Sequence, residues 1–139
     1  MDRHRGHTLP ELVFTAAIAI GLLGWGVPAF RDAKLNASRT REVNQLIQAV
    51  YLARSEAIKR NGVVSLCPSL DGDRCADAGT AWSRGWIVFV NSDRDSPAAR
   101  DEGEELLRVY PQWTNGAVNA NRSTLSFRPF GQMGVTATF

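Results

Sequence analysis

The chain has 139 residues, enough for one domain plus an appendage, and its hydrophobic fraction of 44% is ordinary for a globular protein. A net charge of +2 is too near zero to mark a nucleic-acid partner by bulk charge. Charge is unevenly placed: residues 31–60 carry seven basic against three acidic side chains, and residues 71–105 carry nine acidic against four arginines. There is no internal repeat and no low-complexity run.

Near the N-terminus stands "RGHTLPEL", residues 5–12, followed by "LVFTAAIAIGLLGWGVPAF", Leu12 to Phe30. The second stretch is nineteen residues without a formal charge. That is just long enough for a helix to cross a bilayer core. Its glycines Gly21, Gly24 and Gly26 lower helix propensity but are common in membrane helices. Arg3 and Arg5 form a positive flank that would stay in the cytoplasm. A secretory signal peptide is one reading, with Val27-Pro28-Ala29 as its cleavage site. A plain membrane anchor is another. Neither accounts for Glu11, because a carboxylate inside a spanning helix costs about 2.5–3.5 kcal/mol and is kept when it pairs with something.

A third reading supplies the pair. "RGHTLPEL" resembles the class III leader of type IV pilins and pseudopilins. The resemblance implies that prepilin peptidase cuts after Gly6 and that the mature chain starts at His7, its amine methylated. It makes Glu11 the glutamate that meets the N-terminal amine of a neighbouring subunit during assembly. It also places the family's helix-kinking proline at Pro28. Two positions depart from the pattern: His7 stands where phenylalanine is usual, and Pro10 where an aliphatic residue is usual. Pro10 falls in the first helical turn, where a missing N–H does little harm.

Beyond Pro28 the pattern turns amphipathic. Val43, Leu46, Ile47, Val50, Ala53, Ala57 and Ile58 recur at helical spacing, and Arg41, Glu42, Gln45, Gln48, Arg54 and Lys59 fall mainly on other faces. Arg60, Asn61 and Gly62 give a basic last turn and a glycine stop. A single helix from Thr8 to Arg60, bent near Pro28, would be about 80 Å long at 1.5 Å per residue. Within it "LARSEAIKR", Leu52 to Arg60, resembles the helix motif of the FimT/GspH group of minor pilins and pseudopilins.

From Val63 the periodicity shifts towards two. Strands are expected at Val63–Cys67, Trp86–Val90, Leu106–Tyr110, Thr124–Phe127 and Val135–Phe139, parted by "PSLDGD", "NSDRDSP", "TNG" and "PFGQMG". "SLCPS", "GWIVFVNSD" and "SFRPFG" also resemble the FimT/GspH group. The expected fold class is α+β. The resemblance implies a long N-terminal helix, membrane-spanning in its first half and kinked near Pro28, packed on a small antiparallel sheet as in the pilin fold. The expected divisions are a leader at 1–6, a transmembrane or filament-core helix at 7–30, an amphipathic helix at 31–62 and a β-rich periplasmic domain at 63–139.

Cys67 and Cys75 are the only cysteines. A disulfide is expected if the domain faces the periplasm, and two free thiols otherwise. Zinc is disfavoured, since there is no second cysteine pair and no nearby histidine. The only histidines are His4 and His7, so no Ser/His/Asp or Cys/His set can be assembled in the domain, and no enzyme and no cofactor is expected. Asn91, Asp93, Asp95 and Glu102 fit positions one, three, five and twelve of a calcium loop, but Ser96 takes the position that requires glycine. A solvated acidic hairpin is the expectation there, with no metal. Trp82, Trp86 and Trp113 are expected in the core. Interleaved with Arg84, Arg122 and Arg128, they would otherwise make a nucleic-acid surface.

The resemblance thus implies a structural subunit of a pilus or type II secretion pseudopilus. Its partners would be prepilin peptidase, other pilins or pseudopilins and the inner membrane, with Arg39 and Arg41 facing filament neighbours. The alternative is a minor pilin that binds DNA for uptake. Some FimT-like members do so through a C-terminal Gly-Arg-x-Arg motif. No Gly-Arg dipeptide occurs here after Val63, so either the motif is lacking or the sequence is shortened. Arg122 and Arg128 are the only local candidates for DNA contact.

Overall fold

The computed structural model describes residues 9–134, without the side chains of residues 24–29. It divides into two compact units, Met1–Ser38 and Arg39–Phe139. Helix α1, Leu9–Arg60, contributes to both. The second unit adds β1 (Val64–Pro68), a short 3₁₀ turn at Trp82–Arg84, β2 (Trp86–Val90), β3 (Leu106–Tyr110) and β4 (Leu125–Phe127). The strands form one antiparallel sheet in the order β3-β2-β1-β4. The α+β expectation therefore holds for this unit. Two of the expected strands match residue for residue and two differ by no more than one residue at either end, and the expected strand Val135–Phe139 lies outside the described residues.

The helix turns Glu42, Leu46, Ala49, Ala53 and Ala57 inward, a spacing of four, three, four and four. Alanines at three successive contact positions let the helix backbone come close to the sheet. Of the stripe expected from the sequence, Leu46, Ala53 and Ala57 are buried and Val50 is half-buried, but Val43, Ile47 and Ile58 are 46%, 46% and 52% exposed, and Glu42 and Ala49 take inward positions instead. The expected stripe was wider than the buried face, and helical spacing alone does not fix which edge of it turns inward.

α1 ends in a Schellman motif. Gly62 N–H donates to Ala57 O (3.1 Å) and Asn61 N–H to Ile58 O (3.2 Å). Asn61, at φ 50°, takes the left-handed position, so the stop comes from Asn61 and not from Gly62. The last-turn Arg60 donates from Nε to Glu56 (2.7 Å) and from Nη2 to Glu105 (3.0 Å), just ahead of β3. This holds both carboxylates below their ordinary range, with the Arg60 hydrogen bond as first cause. Being solvent-facing, the cluster contributes little to stability.

All five β1 residues are buried, because both faces of the sheet are covered. On the helix side Val64 and Leu66 join Trp86, Val88, Leu125 and Phe127. Trp86 stacks on Tyr110 at 5.1 Å and meets Trp113 edge-on at 5.9 Å. On the other side Cys67, Ile87, Phe89 and Ala98 form a smaller cluster under the loops. Period-two alternation sorts the strand residues between these two cores. Cys67 and Cys75 are joined in a disulfide, which ties the end of β1 to its following loop.

Candidate functional site

The first candidate is the helix of the first unit. Between Leu9 and Phe30 nine large apolar side chains are at least 60% exposed, among them Phe14 at 73% and Ile20 at 71%. They point in all directions around the helix. A helix that is apolar all round is stable only when something covers it: a bilayer or neighbouring helices. Among the described residues no helix is long and apolar enough to cross a membrane. The apolar run Leu12–Phe30 contains positions 24–29, whose side chains are outside that description. Glu11 stands in the first turn of α1, where the helix dipole favours an anion. Gly6 and His7 lie outside the described residues.

The second unit holds a buried carboxylate that periodicity assigned to the polar face. Glu42 is 8% exposed, and its Oε1 accepts hydrogen bonds from Thr114 N–H (2.9 Å) and Asn115 N–H (3.2 Å). Its Oε2 is buried without a protein partner. The amides it serves lie more than 70 residues away, so no local pattern reveals the pairing. Arg39, expected to face filament neighbours, donates from Nε to Asn115 O (3.4 Å). The 114–115 turn is therefore pinned to α1 by two side chains.

The acidic hairpin is used internally. Asp95 Oδ1 accepts from Asn91 Nδ2 (2.9 Å), and Asp95 Oδ2 accepts from Ala99 N–H (2.8 Å). Glu104 is buried and accepts from Ser92 N–H (2.6 Å) and Asp101 N–H (3.2 Å), whereas Glu102 of the calcium count is exposed. These carboxylates hold loops in place. Among the described residues no cluster of three metal-ligating side chains occurs.

Trp82, Trp86 and Trp113 are all buried, which removes them from any nucleic-acid surface. Trp82 Nε1 donates to Arg122 O (2.9 Å), fixing the backbone before β4. Arg122 and Arg128 are both exposed but line different cavities. Arg128 shares its cavity with Arg94, which sequence reasoning passed over as part of an acidic loop.

A long helix with an uncovered apolar half, and a disulfide-tied antiparallel sheet built on its other half, together describe a pilin-like subunit. The family model for GspH, type II transport protein GspH, matches residues 42–139, more than two thirds of the chain. The chain belongs to that family, which is one of pseudopilins and minor pilins of type II secretion or type IV pili. No curated protein and no solved structure matches it at a significant level.

Proposed function

We propose that the chain is a minor type IV pilin or pseudopilin, inserted in the inner membrane and assembled into a pilus or a type II secretion pseudopilus. Prepilin peptidase cuts after Gly6, His7 is N-methylated, and the helix over residues 7–30 holds the subunit in the bilayer before it enters the filament core. The carrying observation is the exposed apolar surface between Leu9 and Phe30, which needs a covering partner. Glu11 supplies the polar contact. Its cost in an apolar surrounding is offset once it meets the N-terminal amine of the next subunit. The periplasmic sheet domain, with Cys67–Cys75 closed as an oxidising compartment allows, is then displayed at the filament surface or tip. The DNA-uptake alternative draws only on the exposure of Arg122 and Arg128.

The test is incorporation. In cells making the native filament, the wild-type chain is expected in sheared filaments together with other pilins. Glu11→Leu is expected to stay in the inner-membrane fraction at normal abundance. Equal recovery of both forms in filaments would remove Glu11 from the mechanism, and absence of the wild-type chain from filaments would remove the assembly reading.

A further inference from the structure

A groove of about 370 Å³ opens beside β4, its lining including Thr124, Leu125 and Ser126 together with Arg94, Ser96 and Arg128. Its size is that of a small-ligand site. Among the described residues neither guanidinium makes a hydrogen bond or ion pair. The one carboxylate in the lining, Asp95, has both oxygens engaged by Asn91 and Ala99. Two guanidiniums against one carboxylate leave the lining net positive among the described residues, and Ser96, Thr124 and Ser126 add hydroxyls to it.

Arg94 also sits at φ 62°, the left-handed region that glycine enters without strain. An arginine held there keeps its charged side chain at the groove at a backbone cost. Strained residues concentrate at binding sites, where the strain fixes a side chain's aim.

We infer that this groove is an anion site that takes a phosphate group, held between the Arg94 and Arg128 guanidiniums. The inference does not depend on filament assembly. Guanidinium forks match phosphate oxygens geometrically and remain charged at every physiological pH. The phosphate can come free or as part of a nucleotide chain. Phe130, two residues beyond Arg128 and 85% exposed, offers an aromatic face that a base would use and free phosphate would not.

The experiment uses the full chain in zwitterionic detergent micelles at fixed ionic strength. Inorganic phosphate is titrated against chloride while the Nε–H resonances of Arg94 and Arg128 are followed by NMR. A parallel arm titrates a short oligothymidylate. Both resonances are expected to shift saturably, and Arg94→Gly and Arg128→Gln are each expected to weaken binding roughly tenfold, the loss of one charge-assisted contact. Arg94→Gly is expected to leave the melting temperature unchanged or raised, because it relieves the backbone. Loss of binding there is then not unfolding. A nucleotide source predicts oligothymidylate binding at least tenfold tighter than phosphate, with Phe130→Ala removing only that margin. A free-phosphate source predicts equal affinities. Shifts that match chloride, fail to saturate, or survive both arginine variants would overturn the site.

Discussion

Glu42→Ala removes one side chain and orphans two backbone donors. Hydrogen bonds to a charged group contribute about 1.5–3 kcal/mol each, and a buried amide left unpaired loses its solvation as well. Against this stands the buried, unpartnered Oε2, whose removal returns part of the desolvation cost. The balance is a loss of about 2–4 kcal/mol. The second unit spans Arg39–Phe139, and a domain of that size shifts its melting temperature by about 4–8 °C per kcal/mol. The loss should therefore be plain in a thermal or urea melt. The buried Trp82, Trp86 and Trp113 give a fluorescence signal for the melt. Glu42→Gln keeps the shape and one neutral acceptor, so less than half of the loss is expected. If Glu42→Ala melts within 0.5 kcal/mol of wild type (~0.5, the scatter of neutral surface changes), the pinning of the 114–115 turn is not a source of stability. If Glu42→Gln is as damaging as Glu42→Ala, charge-assisted bonding is the wrong explanation.

Cys67→Ser with Cys75→Ser opens a loop of sequence separation 8 and is expected to cost about 2–3 kcal/mol, read as the same drop in midpoint that a reductant causes in wild type. Asp71 accepts from Arg74 N–H, Asp73 N–H and Ser69 Oγ–H, which lower its carboxyl to about 2. A folded value below the unfolded one stabilises the protein above pH ~4 and loses that stability as pH falls towards 2. A carboxyl titration by NMR should show the low midpoint, and Asp71→Asn should flatten the acid limb of the stability curve. Gly85 lies at φ 107°, where an added Cβ would stand 3.0 Å from Tyr110 O and 3.2 Å from Ser69 O. Gly85→Ala is expected to cost about 1–3 kcal/mol in a denaturant melt, and a neutral result would show that the backbone there can relax.

The elements that local patterns control were legible in the sequence. The strands alternate because two cores flank one sheet, and the helix shows its period because one face is buried. The residues that escaped were set by distant partners. Glu42 reads as polar surface until the 114–115 turn arrives to meet it. Glu104, not Glu102, does the interior work of the acidic hairpin, since a calcium-loop count fixes spacing and not burial. Arg94 is masked by its acidic neighbours Asp93 and Asp95, and only the fold sets it beside Arg128. Val43 and Ile47 have the spacing of a packing stripe, yet they lie outside the buried face, whose edge Ala49 takes instead.

The central claim is that the apolar helix begins as a processed pilin-type N-terminus, and the mature terminus tests it most directly. The chain would be expressed with a prepilin peptidase, purified from the inner membrane, and its N-terminal peptide sequenced by mass spectrometry. The account predicts a chain that starts at His7 with a methyl group on its amine. A chain that retains Met1, or one that starts at Phe30 after signal peptidase, would contradict it.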